Sequence, residues 1–198
     1  MKRYDLVVVG AGSGGFAAAR VATGYGKKVA LIDKGSFGGL CILKGCMPSK
    51  TLLRSSELAY LAGTSKELGV EVHGLDLDYP GIISRKNKII KGFVDYRWEE
   101  VRSNPRIDFI KGAAEFRLPG EVQVGAEMIQ GDRFVISTGS SLFIPPIPGL
   151  RETGFITSDE ALERIDLPQS LAVLGGGAVA VELGQHFSRM GVKVSIFE

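Results

Sequence analysis

Leu6-Val7-Val8-Val9-Gly10-Ala11-Gly12-Ser13-Gly14-Gly15 decides how this chain begins to fold. Four apolar residues ending in glycine read as a buried parallel strand. An alanine-rich helix follows from Ser13 to about Tyr25, and Lys28-Val29-Ala30-Leu31-Ile32 makes a second strand that ends at Asp33. Together they form a βαβ unit, and the glycines match G-x-G-x-x-G with strand, helix and acid all in place. Gly10 permits the sharp turn, Gly12 lets backbone approach a pyrophosphate, and Gly15 lets the helix pack close to the strand. The helix start at Ser13 and Gly14 presents unpaired N–H groups and the positive end of the helix dipole to phosphate. Asp33, with Lys34 beside it, stands where a carboxylate accepts both ribose hydroxyls. A glycine-rich turn without a ligand is the other reading, and the motif alone does not choose between FAD and NAD.

The same pattern recurs about 165 residues later. Leu171 to Leu174 is a strand, Gly175-Gly176-Gly177-Ala178-Val179-Ala180 fits G-x-G-x-x-A, and a helix runs from Ala178 to Met190. Lys193 to Phe197 is a strand, and Glu198 follows it. Small Ala180 fills the packing role of the third glycine. Between the repeats, Gly81 to about Ser103 carries apolar residues on one side and reads as a long helix, with Pro80 in its first turn and Pro105 beyond its end. Ile107 to Ile110 reads as a strand. Short alternating segments follow at Glu115–Phe116, Val122–Val124, Met128–Ile129 and Phe134–Ile136, with turn signals at Pro119-Gly120 and Gly131-Asp132. Pro145 to Gly149 reads as a linker. The expected architecture is α/β: a Rossmann-like domain over residues 1–148 with a parallel sheet and a small antiparallel meander, then the start of a second Rossmann-like domain over 149–198.

Composition narrows the function classes. A 44% hydrophobic and 23% charged chain is ordinary for a globular protein rather than a disordered one. Its 27 glycines, nearly twice the usual ~7%, cluster in loops and indicate tight turns and backbone–ligand contacts. Net charge is +2 with both signs scattered, which argues against a nucleic-acid surface. The basic run Arg85, Lys86, Lys88 and Lys91 reads as a solvated helix face. No stretch approaches the ~20 apolar residues of a membrane span, and the N-terminus lacks signal-peptide features. A cytoplasmic location without membrane contact is the expectation.

Cys41 and Cys46 are the only cysteines. In a reducing compartment such a close pair is catalytic, redox-sensing or metal-binding rather than a structural staple. On an ideal helix residues five apart lie roughly 8–9 Å apart, beyond the ~7 Å reach of a disulfide. A bridge would need a distorted turn, which Gly45 and Pro48 could accompany. A helix N-terminus would lower a thiol pKa. With His73 and His186 isolated, no metal site is expected, and His186 reads as packing or surface.

The stretch Gly38-Gly39-Leu40-Cys41-Ile42-Leu43-Lys44-Gly45-Cys46-Met47-Pro48-Ser49-Lys50 closely resembles the redox-active segment of class I pyridine nucleotide–disulfide oxidoreductases. Leu40 replaces the usual Thr or Val. The Pro-Ser-Lys ending resembles the lipoamide dehydrogenase and mercuric reductase branches more than glutathione reductase. Ser137-Thr138-Gly139-Ser140 with Ile147-Pro148-Gly149 resembles a segment beside the flavin, although Leu142 stands at a frequent proline position. Gly112-Ala113-Ala114 resembles the segment that contacts the FAD adenine, and Thr157 to Leu162 the lead into the nucleotide domain.

The resemblance implies FAD on the first loop, with Gly39, Leu40, Cys41 and Lys50 also near it, and NAD(P)H on the second at Gly175, Gly177, Ala178 and Val179. Asp33 stands where a glutamate is more usual. A carboxylate at Glu198 favours NAD over NADP. Electrons would pass from NAD(P)H through FAD to a Cys41–Cys46 disulfide and on to a small disulfide or dithiol substrate, most like dihydrolipoamide dehydrogenase. Cys46 would be the charge-transfer thiol and Cys41 the interchange thiol. Lys50 and Glu182 would pair across the two domains near the flavin. Relatives add an interface domain that donates a His-Glu dyad across a homodimer, and no H-x-x-x-x-E occurs here. A protein more than twice this length is therefore expected, with this part inactive alone. A flavin-binding redox sensor without turnover is the alternative, and a simple NAD dehydrogenase would leave the cysteines and second loop unexplained.

Overall fold

The computed structural model describes all of residues 1–198. In chain order the elements are β1 (Lys2–Val9), α1 (Ser13–Gly24), β2 (Val29–Asp33), α2 (Gly39–Leu43), α3 (Cys46–Thr64), α4 (Tyr79–Arg102), β3 (Ile107–Lys111), β4 (Ala114–Leu118), β5 (Glu121–Val124), β6 (Glu127–Ile136), α5 (Ser158–Glu163), β7 (Ser170–Leu174), α6 (Ala178–Arg189) and β8 (Lys193–Phe197). Contacts divide the chain into two compact units, residues 1–43 with 91–143 and residues 44–90 with 144–198.

The first unit is built on a six-stranded sheet in the order β3-β2-β1-β6-β5-β4. β3, β2, β1 and β6 run parallel, while β6, β5 and β4 form an antiparallel meander. Strand residues alternate between faces. Val8, Val29 and Leu31 therefore join Phe16 and Ala19 of α1 in one core, and Val7, Ala30 and Ile32 join Val122 and Ile129 in another. Cover on both faces explains why β1 and β2 read as continuous apolar runs. In the second unit, parallel β7 and β8 flank α6 in sequence. Leu183 and Phe187 of α6, with Met190 just beyond it, pack with Leu52 and Ala59 of α3, Tyr79 and Ile83 of α4, and Ala161 and Leu162 of α5.

The mixed α/β architecture agrees with the sequence reading, and four local details correct it. β1 begins at Lys2 because it pairs with β6 along its whole length, from Lys2–Ile129 to Val9–Ile136. Gly131-Asp132 is not a turn: β6 runs through it, and a Cβ at Gly131 would come within 2.6 Å of Val7 Cγ2 and 2.9 Å of Phe134 Cζ. The glycine is needed for close approach rather than for reversal. The cysteines lie not on one ideal helix but on two, Cys41 on α2 and Cys46 on α3, broken at Lys44 and Gly45. Lys86 is not solvated. Arg85, Lys88 and Lys91 are exposed, but Lys86 is fully buried with Nζ 2.8 Å from the Leu162 carbonyl oxygen and 2.6 Å from Glu163 Oε1. No helix is long and apolar enough to cross a membrane.

Candidate functional site

In the first unit the glycine loop connects β1 to α1. Gly10 takes φ +104°, and its N–H donates to the Ile32 carbonyl at 2.7 Å. A Cβ at Gly10 would strike the Ser137 carbonyl, and one at Gly15 would strike the Gly10 carbonyl. Gly12 caps α1 with no side-chain hydrogen bond, so the N–H groups of Ser13, Gly14 and Gly15 gain no side-chain cap. Asp33 closes the loop from β2: Oδ2 accepts the Ala11 N–H and Oδ1 the Gly35 N–H, both at 2.6 Å. Each oxygen retains a lone pair for a further donor.

Around this loop, Gly39 approaches Gly12 so closely that a Cβ would collide with the Gly12 Cα. Lys34 and Leu40 are exposed, and Cys41 is half-buried. The Ser137 hydroxyl faces the Val9 and Gly10 carbonyls at 3.2 and 3.0 Å, so it braces the end of β1. Thr138, Gly139 and Ser140 are exposed. Ala113 lines an open cleft of about 380 Å³ together with Lys111, Gly112, Arg117 and Gln123. Ala114 is half-buried at the start of β4. Arg97 was not anticipated: its guanidinium lies 4.7 Å over the Phe16 ring and 3.3 Å from Ser13 Oγ, adding a cation beside the α1 start.

The second unit repeats this geometry. Gly175 takes φ +99°, and its N–H donates to the Phe197 carbonyl at 2.7 Å. Gly177 caps α6 without a side-chain bond, leaving Ala178 and Val179 exposed at the helix start. Glu198 accepts the Gly176 N–H as Asp33 accepts that of Ala11. Two stretches 165 residues apart thus close in one way, because the same small residues bring backbone donors onto the acid after the second strand.

α3 opens at exposed Cys46, with Gly45 as its N-cap and Pro48 in its first turn, where proline is tolerated. One turn on, Lys50 Nζ pairs with Glu182 Oε1 from α6, and Ser49 Oγ lies 3.1 Å from Glu182 Oε2. The Lys50 bond, aided by that of Ser49, holds the Glu182 carboxyl below the usual carboxylate range against a desolvation that pulls the other way. One turn beyond Glu182, His186 is fully buried, with Nε2 3.1 Å from the Tyr79 hydroxyl. Burial pushes its pKa down to about 4, partly offset by the Leu52 backbone carbonyl, and pushes that of Tyr79 up to about 12. Nothing in residue spacing marked Ser49. The Tyr79–His186 and Lys86–Glu163 pairs likewise join segments far apart in sequence. The sequence reading did not place α5, although Thr157 and Glu160 form a capping box, a T-x-x-E signal for a helix start. No group of three or more His, Cys, Asp or Glu side chains is arranged to hold a metal ion.

Two glycine loops, each closed by an acid, and a cysteine-bearing helix are the kinds of parts that a dinucleotide-dependent redox protein uses. The family model for pyridine nucleotide-disulphide oxidoreductases matches residues 4–198, and the chain belongs to that family. It is 34% identical to a mercuric reductase of Lysinibacillus sphaericus, covering 98% of this chain and 36% of that protein. It is 36% identical to a dihydrolipoyl dehydrogenase of Acholeplasma laidlawii, covering all of this chain and 60% of that one. Among solved structures, the HOCl-induced flavoprotein disulfide reductase RclA from Escherichia coli matches with a TM-score of 0.84 at 32% identity, over 98% of this chain and 42% of that one. The chain therefore spans between about a third and three-fifths of the length of these relatives.

Membership implies FAD and a reduced nicotinamide nucleotide. The residues fit both groups. Each loop ends at a helix whose glycine N-cap makes no side-chain bond, so donors remain for phosphate oxygens. Each acid keeps acceptor capacity for ribose hydroxyls, and the first loop has backbone contacts that a Cβ would obstruct at Gly10, Gly15 and Gly39.

Proposed function

We propose that this chain forms the cofactor-binding part of an NAD(P)H-dependent disulfide oxidoreductase acting on a small dithiol or disulfide, of the dihydrolipoamide dehydrogenase type. Residues 1–148 would form the flavin-binding part and 149–198 the start of the nucleotide-binding part. When bound, the flavin supplies two-electron transfer between a nicotinamide and the cysteine pair. The α1 start, with Ser13 and Gly14, would hold the flavin pyrophosphate and Asp33 its ribose. Ala113 and Ala114, with Ser137 to Ser140, would line the rest of the flavin site. The α6 start would hold the nicotinamide nucleotide. A carboxylate at Glu198 supports NAD over NADP, because an added 2′-phosphate would meet a like charge. Cys46 and Cys41 would cycle between dithiol and disulfide, giving up or taking two electrons and two protons per turnover. We place this chemistry in the cytoplasm, in a homodimeric full-length protein.

The observation that carries this reading is the Lys50–Glu182 pair one turn after Cys46. Lys50 is 58% exposed, and ion pairs at such exposure contribute only about 0–1 kcal/mol, so stability alone is a weak account of it. A cation fixed beside a redox-active cysteine has electrostatic work to do there.

The test is the visible spectrum of the purified full-length protein with FAD, then with NADH. Bleaching of a bound-flavin spectrum, with a long-wavelength band that Cys46→Ser abolishes, is the expected result. Failure of the protein to bind any flavin would overturn the reading.

A further inference from the structure

Two adjacent side chains of α3 grip the two oxygens of one carboxylate. Lys50 holds Glu182 Oε1, and Ser49 Oγ lies 3.1 Å from Oε2. The two grips differ in kind. Lys50 reaches over a long flexible stem and is 58% exposed, while the Glu182 side chain is 32% exposed, so this bond alone fixes orientation weakly. Ser49 is 4% exposed on a one-carbon stem, and its own N–H donates to the Gly45 carbonyl at 3.1 Å. Its position is therefore set by the first turn of α3 rather than by solvent.

Ser49 Oγ has a second acceptor beside it, the Cys46 carbonyl oxygen at 3.3 Å. A hydroxyl carries one hydrogen and can serve one of these acceptors at a time. The carboxylate is charged and closer, and charge-assisted hydrogen bonds are roughly twice as strong as neutral ones, so the hydrogen goes to Glu182. The carbonyl limits where the hydroxyl can swing, and the carboxylate receives its bond along one direction.

We propose that Ser49 is a positioning residue for the Lys50–Glu182 pair: its buried hydroxyl, seated between the Cys46 carbonyl and Glu182 Oε2, holds the carboxylate in the orientation that receives Lys50. Its importance to turnover rests on the oxidoreductase reading above, while its hold on Glu182 does not. The Ser of Pro-Ser-Lys then acts with the Lys as one clamp, and the cation's placement depends on a neutral neighbour.

The hold is read directly by carbon-detected NMR titration of glutamate carboxyls in the full-length protein without flavin or nucleotide. The Glu182 resonance is assigned by its loss in Glu182→Gln. Ser49→Ala is expected to raise the Glu182 midpoint by roughly 0.5–1 pH unit. Ser49→Thr, which keeps a hydroxyl on Cβ, is expected to leave it close to wild type. A midpoint unmoved by Ser49→Ala overturns the proposal, as does an equal rise in both variants. Failure of flavin binding would defeat the redox function and leave this titration unaffected.

Discussion

Asp33 Oδ2 accepts the backbone N–H of Ala11 at 2.6 Å, so the acid that ends β2 holds the middle of the glycine loop that follows β1. The carboxylate therefore has two tasks, shaping the loop and facing a ribose. Asp33→Ala should weaken FAD binding by about tenfold or more, since it removes a charge-assisted bond and the ribose acceptor together. Fluorescence titration of the cofactor-free protein measures this, and wild-type affinity in the variant would remove Asp33 from the flavin site.

Gly15 and Gly92 should respond oppositely to alanine. At Gly15 a Cβ meets the Gly10 carbonyl and lies 2.7 Å from Ser137 Oγ, and backbone there cannot give way cheaply. A loss of about 1–3 kcal/mol or more is expected. Gly92 lies within α4 with nothing within 4 Å of a Cβ, so alanine should stabilise by about 0.5–1 kcal/mol. Urea unfolding of both variants measures the signs.

Lys86 joins α4 to the end of α5 through the Leu162 carbonyl and Glu163, with its side chain 1% exposed. Lys86→Ala leaves a cavity and an unpaired carbonyl and should cost about 2–4 kcal/mol. Lys86→Met keeps most of the volume and buries no charge, so it should cost less. Equal losses in thermal unfolding would show that packing contributes nothing to the difference.

His186 should make the fold acid-sensitive. Its folded pKa of about 4 lies below the ordinary 6.5, so between these values the unfolded chain binds a proton that the native state refuses. The contribution of neutral His186 is fully present above pH 6.5 and is lost as pH falls toward 4, by roughly 3 kcal/mol in all. His186→Gln can still hydrogen-bond Tyr79 but does not titrate. Its unfolding free energy should vary less than wild type between pH 7 and 5, and parallel pH profiles would refute the assignment.

Both βαβ units were legible in the sequence because everything that builds them is local. Apolar runs report burial, glycines at fixed offsets report φ and close approach, and the acid follows its strand directly. The α5 start carries an equally local signal in Thr157 and Glu160, one that the sequence reading did not use. The Lys50–Glu182 contact became visible through family resemblance, since no spacing rule links positions 132 apart.

Other features depended on packing across distant segments. Lys86 has the same charge as exposed Lys88 two positions on, and it is buried because α5 covers its side of α4. Gly131 reads as a turn until Val7 and Phe134 are placed beside it. Ser49 is an ordinary early-helix serine until α6 brings Glu182 to it. The sequence by itself determined the strands, helices and glycine loops of the two βαβ units, since backbone preferences and hydrophobic periodicity act over a few residues. Tertiary structure decided which polar groups far apart in sequence meet, because hydrogen bonds and ion pairs depend on ångström distances between residues that long stretches of chain keep apart.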